Sequence, residues 1–403
     1  TLPTFKPFSI MIQPKAGKFY YKMPDFNNSP PLPSQQKEIS PKHLPPFLPE
    51  NTPSQSEYLP PEGGYSTRRH KKRVKILSLD GGGVRGAVSA RIMTKISSAI
   101  SKVHGVSREG VGEQFEGIAG TSIGGFLACG YGALKNPYYP ELGNSYKADD
   151  AIQLFKREAI KIFPDQGKDF LSKVMSVCSH AMYPKHNSSG IEGALERVFQ
   201  DRTFGESNTK LMLTAYDIKR AEPYILESDN PLHRNLKMSD VSRATTAAPT
   251  YFSPKVMSIG NNEYSFIDGG IAFPNPSLRA YSWAQSRFDY EEMVVCSIGT
   301  GEASHTFESH EGDWGFLGWL PTLPNCYTTA SVKGAHNTME SLSNHNSNLH
   351  YFRFDPTLHK ELNALDNACP INMQKLEEVA DAYMDEDCFE ESLRTMTNLF
   401  DVD

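Results

Sequence analysis

Three short apolar runs in this chain each stop abruptly at glycine, and those junctions constrain the fold more than any other feature. Val74-Lys75-Ile76-Leu77-Ser78-Leu79 enters Asp80-Gly81-Gly82-Gly83-Val84-Arg85-Gly86. Phe115 to Ala119 enters Gly120-Thr121-Ser122-Ile123-Gly124. Tyr264-Ser265-Phe266-Ile267 enters Asp268-Gly269-Gly270. Helical patterns lie at about 87–103, 149–162, 191–199, 239–248 and 276–285, with further strand runs at 210–216, 224–226 and 293–298. Strands alternating with helices predict an α/β domain with a largely parallel sheet. Loops at the carboxyl ends of such strands carry the chemistry. The three glycine junctions are therefore expected to converge on one edge.

Ser122 stands between Gly120 and Gly124, the spacing of a nucleophile elbow. The two glycines leave out Cβ atoms that would clash in a sharp strand-to-helix turn, so the hydroxyl stands exposed at its tip. The Asp80–Gly86 loop has two readings. Gly81, Gly83 and Gly86 fit a dinucleotide fingerprint, but the acidic residue wanted about 20 positions on would fall in a helix end and loop. The other reading is an oxyanion hole, in which bare glycine N–H groups at a helix N-terminus meet developing negative charge.

An activated serine needs a base. His305, His310, His336, His345, His350 and His359 leave a Ser-His-Asp triad open, yet none sits at a strand-end glycine turn. Asp268 does. A carboxylate acting directly on the serine needs contact and partial desolvation to raise its pKa. The alternative for Asp268 is a plain turn aspartate before Gly269 and Gly270.

With 38% apolar and 22% charged residues, the chain has the composition of a soluble protein. No run approaches the roughly 18–20 apolar residues of a membrane span, and no leader peptide is expected. The six cysteines are scattered without a CxxC pair or a His cluster at metal spacing, so neither a metal nor a cofactor is expected. Residues 1–73 hold 11 Lys and Arg against 5 Asp and Glu, whereas residues 360–403 hold 3 against 12. Neither end makes a nucleic-acid platform. Fourteen prolines fall within residues 1–65, which favours extended backbone. Residues 1–72 thus read as an arm ending in the basic cluster Arg68-Arg69-His70-Lys71-Lys72-Arg73, suited to anionic headgroups. Residues 73–403 read as the folded domain.

Together the Asp80–Gly86, Gly120–Gly125 and Asp268–Gly270 motifs resemble the patatin-like phospholipases in order and spacing. Ala244–Phe252, Ser297–Gly301, Trp314–Leu320 and Asn372–Tyr383 are similar to further segments of that family. The resemblance implies a three-layer α/β/α fold with a mostly parallel central sheet. It implies Ser122 as nucleophile, Asp268 as its base, and Gly81, Gly82 and Gly83 as the oxyanion hole with Arg85 beside it. The implied reaction is acyl-ester hydrolysis of phospholipid at a membrane surface, without metal. A lipid-binding or storage protein on the same fold is the alternative. Bacterial members are sometimes effectors delivered into other cells and switched on by a partner, and the aromatic-bearing arm offers such a protein activator a surface. Trp314, Phe316, Leu317, Trp319 and Leu320 are expected to rim the acyl site at the membrane.

Overall fold

A computed structural model describes residues 13–15, 18–20, 72–104, 110–133, 147–162, 186–303 and 323–400 of the 403-residue chain. The chain divides into two compact units, Thr1–Ser66 and Thr67–Asp403. In the first, β1 (Gln13–Lys15) and β2 (Lys18–Tyr20) pair as a short antiparallel ribbon. The rest of the proline-rich arm and the Trp314–Leu320 segment lie outside the described residues.

The second unit is built on an eight-stranded sheet. β3 (Arg73–Leu79) and β4 (Gly117–Thr121) pair in parallel. β5 (Lys210–Asp217) lies parallel to β4 and antiparallel to β6 (Glu222–Glu227). A hairpin follows, β7 (Lys255–Ile259) and β8 (Asn262–Asp268), turned at Gly260 with φ 58°. β9 (Glu292–Ile298) flanks β3 in parallel, and a two-residue strand, β10 (Glu302–Ala303), follows it. β11 (Leu349–Phe354) pairs with β9, and β12 (Thr357–Leu358) pairs with β10, both in parallel.

Side chains alternate across the pleat. Leu77, Leu79, Val294, Cys296 and Ile298 enter one buried core, and Val74, Ile76, Met293 and Val295 enter the other. The first core is covered by α1 (Gly86–His104), α2 (Ile123–Gly132), α3 (Ala148–Ile162), α4 (Ser188–Phe199) and α5 (Met238–Thr245). The second lies under α6 (Ser277–Arg287) and α7 (Leu323–His345). The acidic C-terminal stretch forms two helices, α8 (Pro370–Met384) and α9 (Asp387–Thr397). Each buries an apolar stripe in the first core, with Met373, Leu376, Ala380 and Met384 on one and Phe389, Leu393 and Met396 on the other. The result is the three-layer α/β/α arrangement.

One expectation changes. Asp268 does not arrive at the carboxyl edge on a parallel strand. β8 runs antiparallel to β5. Along one side of β5, β4 pairs as far as Thr214 and β8 begins at Ala215, so the carboxyl ends of β4 and β8 meet head to head.

Candidate active site

β5 acts as the ruler of the site. Thr121 lies opposite Thr214, and Asp268 lies opposite the next residue, Ala215. Ser122 follows Thr121 directly and turns the chain with φ 55° and ψ −123°, a left-handed conformation that a residue with a Cβ adopts only under constraint. The constraint is visible at both flanking glycines. A Cβ on Gly120 would lie 2.3 Å from the Gly124 carbonyl oxygen, and one on Gly124 would lie 2.2 Å from that of Leu79.

Main-chain anchors fix both Ser122 and Asp268. The Ser122 N–H donates to Thr245 Oγ1 at 2.9 Å. The Asp268 N–H donates to the Ala247 carbonyl at 3.0 Å. The end of α5 therefore holds both strand ends. Thr121 Oγ1 donates to the Phe273 carbonyl at 2.7 Å and sits 2.7 Å from Thr214 Oγ1. A Cβ on Gly269 would lie 2.1 Å from that same Thr214 hydroxyl, which explains the glycine after the aspartate.

Asp268 is 6% exposed. Burial pushes its carboxyl up to about 6, against hydrogen bonding from the Ser122 side chain and from the Gly270 N–H, which donates to Oδ1 at 2.7 Å. The Ser122 hydroxyl therefore meets a carboxylate that burial has raised towards neutrality. No hydrogen bond joins Ser122 or Asp268 to a histidine among the described residues. His336 meets the Tyr351 hydroxyl and His345 the Ser341 carbonyl, and His305 and His310 lie outside the described residues.

The glycine loop abuts the elbow. A Cβ on Gly81 would sit 3.3 Å from Ser122 Cβ. Its three glycines are not equivalent. The Gly81 N–H donates to the Pro274 carbonyl at 2.9 Å, whereas no described acceptor meets the N–H of Gly82 or Gly83. Gly83 has φ 58°, and a Cβ there would lie 2.1 Å from the Leu365 carbonyl oxygen. Arg85 Nε donates to the Gly82 carbonyl at 3.4 Å, and its guanidinium forms no ion pair among the described residues.

Sequence reasoning missed two supports of the site. Thr245 lies in the predicted 239–248 helix, where nothing in the sequence marks it as a partner of Ser122. Arg353 was not noted at all. It is 9% exposed at its side chain and grips Asp80 through Nη1 to Oδ1 at 2.9 Å and Nη2 to Oδ2 at 2.6 Å. It also donates to Ser297 Oγ at 2.8 Å and Asp355 Oδ2 at 2.6 Å. Asp355 Oδ1 in turn accepts the Gly301 N–H at 2.9 Å. Its only signal in the sequence is a cation inside the apolar run 349–354.

Of the basic cluster, residues 68–71 lie outside the described residues, and its last two members fall elsewhere. Lys72 pairs with Asp289 and Arg73 with Glu292 at the amino end of β3, opposite the edge that carries the elbow. A cleft of about 720 Å³ lies at that opposite edge, lined by Glu113, Glu116, Lys210 and Arg234 among others, and shares no residue with the Ser122 site. No group of three or more His, Cys, Asp or Glu among the described residues is arranged to hold a metal ion. No described helix is long and apolar enough to cross a membrane.

The family model of the patatin-like phospholipases matches residues 77–281, more than half of the chain. The chain belongs to that family. Patatin-like protein 2 of Oryza sativa subsp. indica is 29% identical over 288 residues, 64% of this chain and 69% of that protein. Patatin-like protein 2 of Arabidopsis thaliana is 31% identical over 271 residues, 61% of this chain and 65% of that protein. A cGAMP-activated phospholipase of Escherichia coli (strain TW11681) is 30% identical over 244 residues, 57% of this chain and 63% of that protein. The matched span of this patatin-like chain contains the glycine loop, the elbow and Asp268, and stops short of Arg353.

Proposed function

We propose that this patatin-like chain hydrolyses fatty-acyl esters of glycerophospholipids through an acyl-serine intermediate on a Ser122–Asp268 dyad. The reading is carried by one observation: a serine in a strained left-handed turn whose side chain acts on a buried carboxylate raised to about 6. Asp268 takes the hydroxyl proton as Ser122 Oγ attacks the ester carbonyl. The oxyanion accepts from the N–H groups of Gly82 and Gly83, with the Arg85 charge close by. Asp268 then protonates the departing lysolipid alcohol. Water enters, gives a proton to Asp268 and displaces the fatty acid from Ser122, which recovers its proton. The Gly81 N–H supports the loop rather than the oxyanion, because it is already bonded to Pro274.

Fatty-acid release from mixed phospholipid vesicles tests this. Ser122→Ala and Asp268→Asn are each expected to lose roughly 10³-fold or more. Equal release by wild type and Ser122→Ala sinks the mechanism, and no release by wild type under any arm leaves the lipid-binding or storage alternative. Loss in Ser122→Ala with full activity in Asp268→Asn points back to a histidine. The Escherichia coli relative is named for activation by cGAMP, so the assay includes arms with cGAMP and with cell extract. Release only with extract indicates the activating protein partner.

A further inference from the structure

Ten large apolar side chains are exposed among the described residues, and five of them stand on segments that touch the Ser122 site. Ile271 lies three residues after Asp268, and its carbonyl accepts from the Tyr327 hydroxyl. Leu323 sits one helical turn before Tyr327 at the start of α7. The Leu365 carbonyl accepts the Val84 N–H at 2.8 Å, under the glycine loop. Ile371, 71% exposed, is in the first turn of α8, a helix that contacts the Gly83–Arg85 turn.

Four of the five stand on uncharged stretches: residues 269–278, 323–332 and 367–374 contain no Asp, Glu, Lys or Arg. Leu365 instead adjoins Asp366, whose carboxylate meets His186 Nε2 at 3.1 Å. Apolar side chains on uncharged backbone at the mouth of a site can enter a bilayer interface without desolvating ions, and Tyr327 suits that depth. Of the basic cluster, the described members Lys72 and Arg73 are paired at the opposite edge, away from this rim. We infer that Ile271, Leu323, Tyr327, Leu365 and Ile371 form the face that docks this protein on a neutral phospholipid bilayer, by apolar insertion rather than ionic attraction. The inference rests on the proposed lipid-hydrolase reading only for its choice of partner.

Co-sedimentation with phosphatidylcholine vesicles tests it on the full chain. Wild type is expected to bind, and about 1 M salt, which shortens screening to ~3 Å, should leave binding unchanged. Leu323→Ser with Ile371→Ser should weaken partition about 100-fold, at roughly tenfold per apolar side chain withdrawn from lipid. Its thermal midpoint and its turnover of soluble p-nitrophenyl butyrate should match wild type. Leu232→Ser with Val256→Ser, exposed apolar positions away from the rim, should bind as wild type does. Absence of wild-type binding, equal partition of wild type and rim variant, or release by salt overturns the docking face. Rim-dependent binding by a wild type that releases no fatty acid keeps the face and removes the hydrolase reading instead.

Discussion

The Arg353 guanidinium spans both carboxylate oxygens of Asp80, 273 residues away in the chain. Asp80 opens the glycine loop, and the same guanidinium reaches Asp355, which holds the Gly301 N–H. One cation thus fastens two strand-end loops to β11. Burial pushes the Asp80 carboxyl up, and Arg353 pulls against it.

Removing that cation leaves two carboxylates buried without it. Arg353→Met is expected to destabilise the domain by about 3–5 kcal/mol, the range for breaking a buried pair. Adding Asp80→Asn should restore part of the loss, because the uncompensated charge is then gone. Denaturant midpoints across the double-mutant cycle measure the coupling. Independent additivity of the two changes would show that the pair carries no joint energy.

Thr245 offers a milder test of site geometry. Its hydroxyl accepts the Ser122 N–H, and its methyl group packs on Gly125. Thr245→Val keeps the shape and removes the acceptor. A donor left unsatisfied costs about 1–3 kcal/mol, and the elbow loses an anchor. The expected result is a lower kcat with KM little changed, read on a soluble ester. An unchanged kcat would mean that the elbow is held by its glycines and the strand register alone.

Gly83→Ala tests the oxyanion side of the proposed mechanism. The position is left-handed, and the new Cβ would meet the Leu365 carbonyl oxygen at 2.1 Å. The loop has to move, and the Gly82 and Gly83 N–H groups move with it. Losing one oxyanion donor costs roughly 10²–10³ in kcat. Fluorophosphonate labelling of Ser122 should slow with it, while the thermal midpoint falls only modestly.

The parts of the site that were legible are those whose chemistry is local. Gly120, Ser122 and Gly124 declare a turn because two demands for glycine and one hydroxyl fall within five positions. Gly81 to Gly83 and Asp268 are readable for the same reason. What was not legible is pairing over distance. The β7–β8 hairpin that reverses Asp268 begins with Lys255-Val256-Met257-Ser258-Ile259, where Lys255 and Val256 are not buried and only Met257 and Ile259 turn inward. α7 buries only Met339, so it shows no apolar stripe to find. Arg353 has a partner 273 residues away, and no spacing rule connects them.

Asp268 should trade stability for activity, and the sign can be worked out. Burial raises its carboxyl in the folded protein to about 6, above the ordinary aspartate value of 3.8. Between those values the folded state binds more protons than the unfolded one, so stability contributed by this group falls as pH rises through that window. Below it both states are protonated and nothing is lost. Above about pH 6 the ionised carboxylate costs the fold up to about 3 kcal/mol, from roughly two pKa units at 1.36 kcal/mol each. Asp268→Asn carries no such charge. It should unfold at a higher temperature than wild type at pH 7.5, and the gap should close as pH falls towards 4. Activity runs the other way. Wild-type kcat/KM on a soluble ester should rise through about pH 6 and level off above it, because only the ionised base takes the Ser122 proton. A stability gap that persists at pH 4, or a rate that is flat across pH 5–7, would show that the carboxylate is neither strained by burial nor the titrating base.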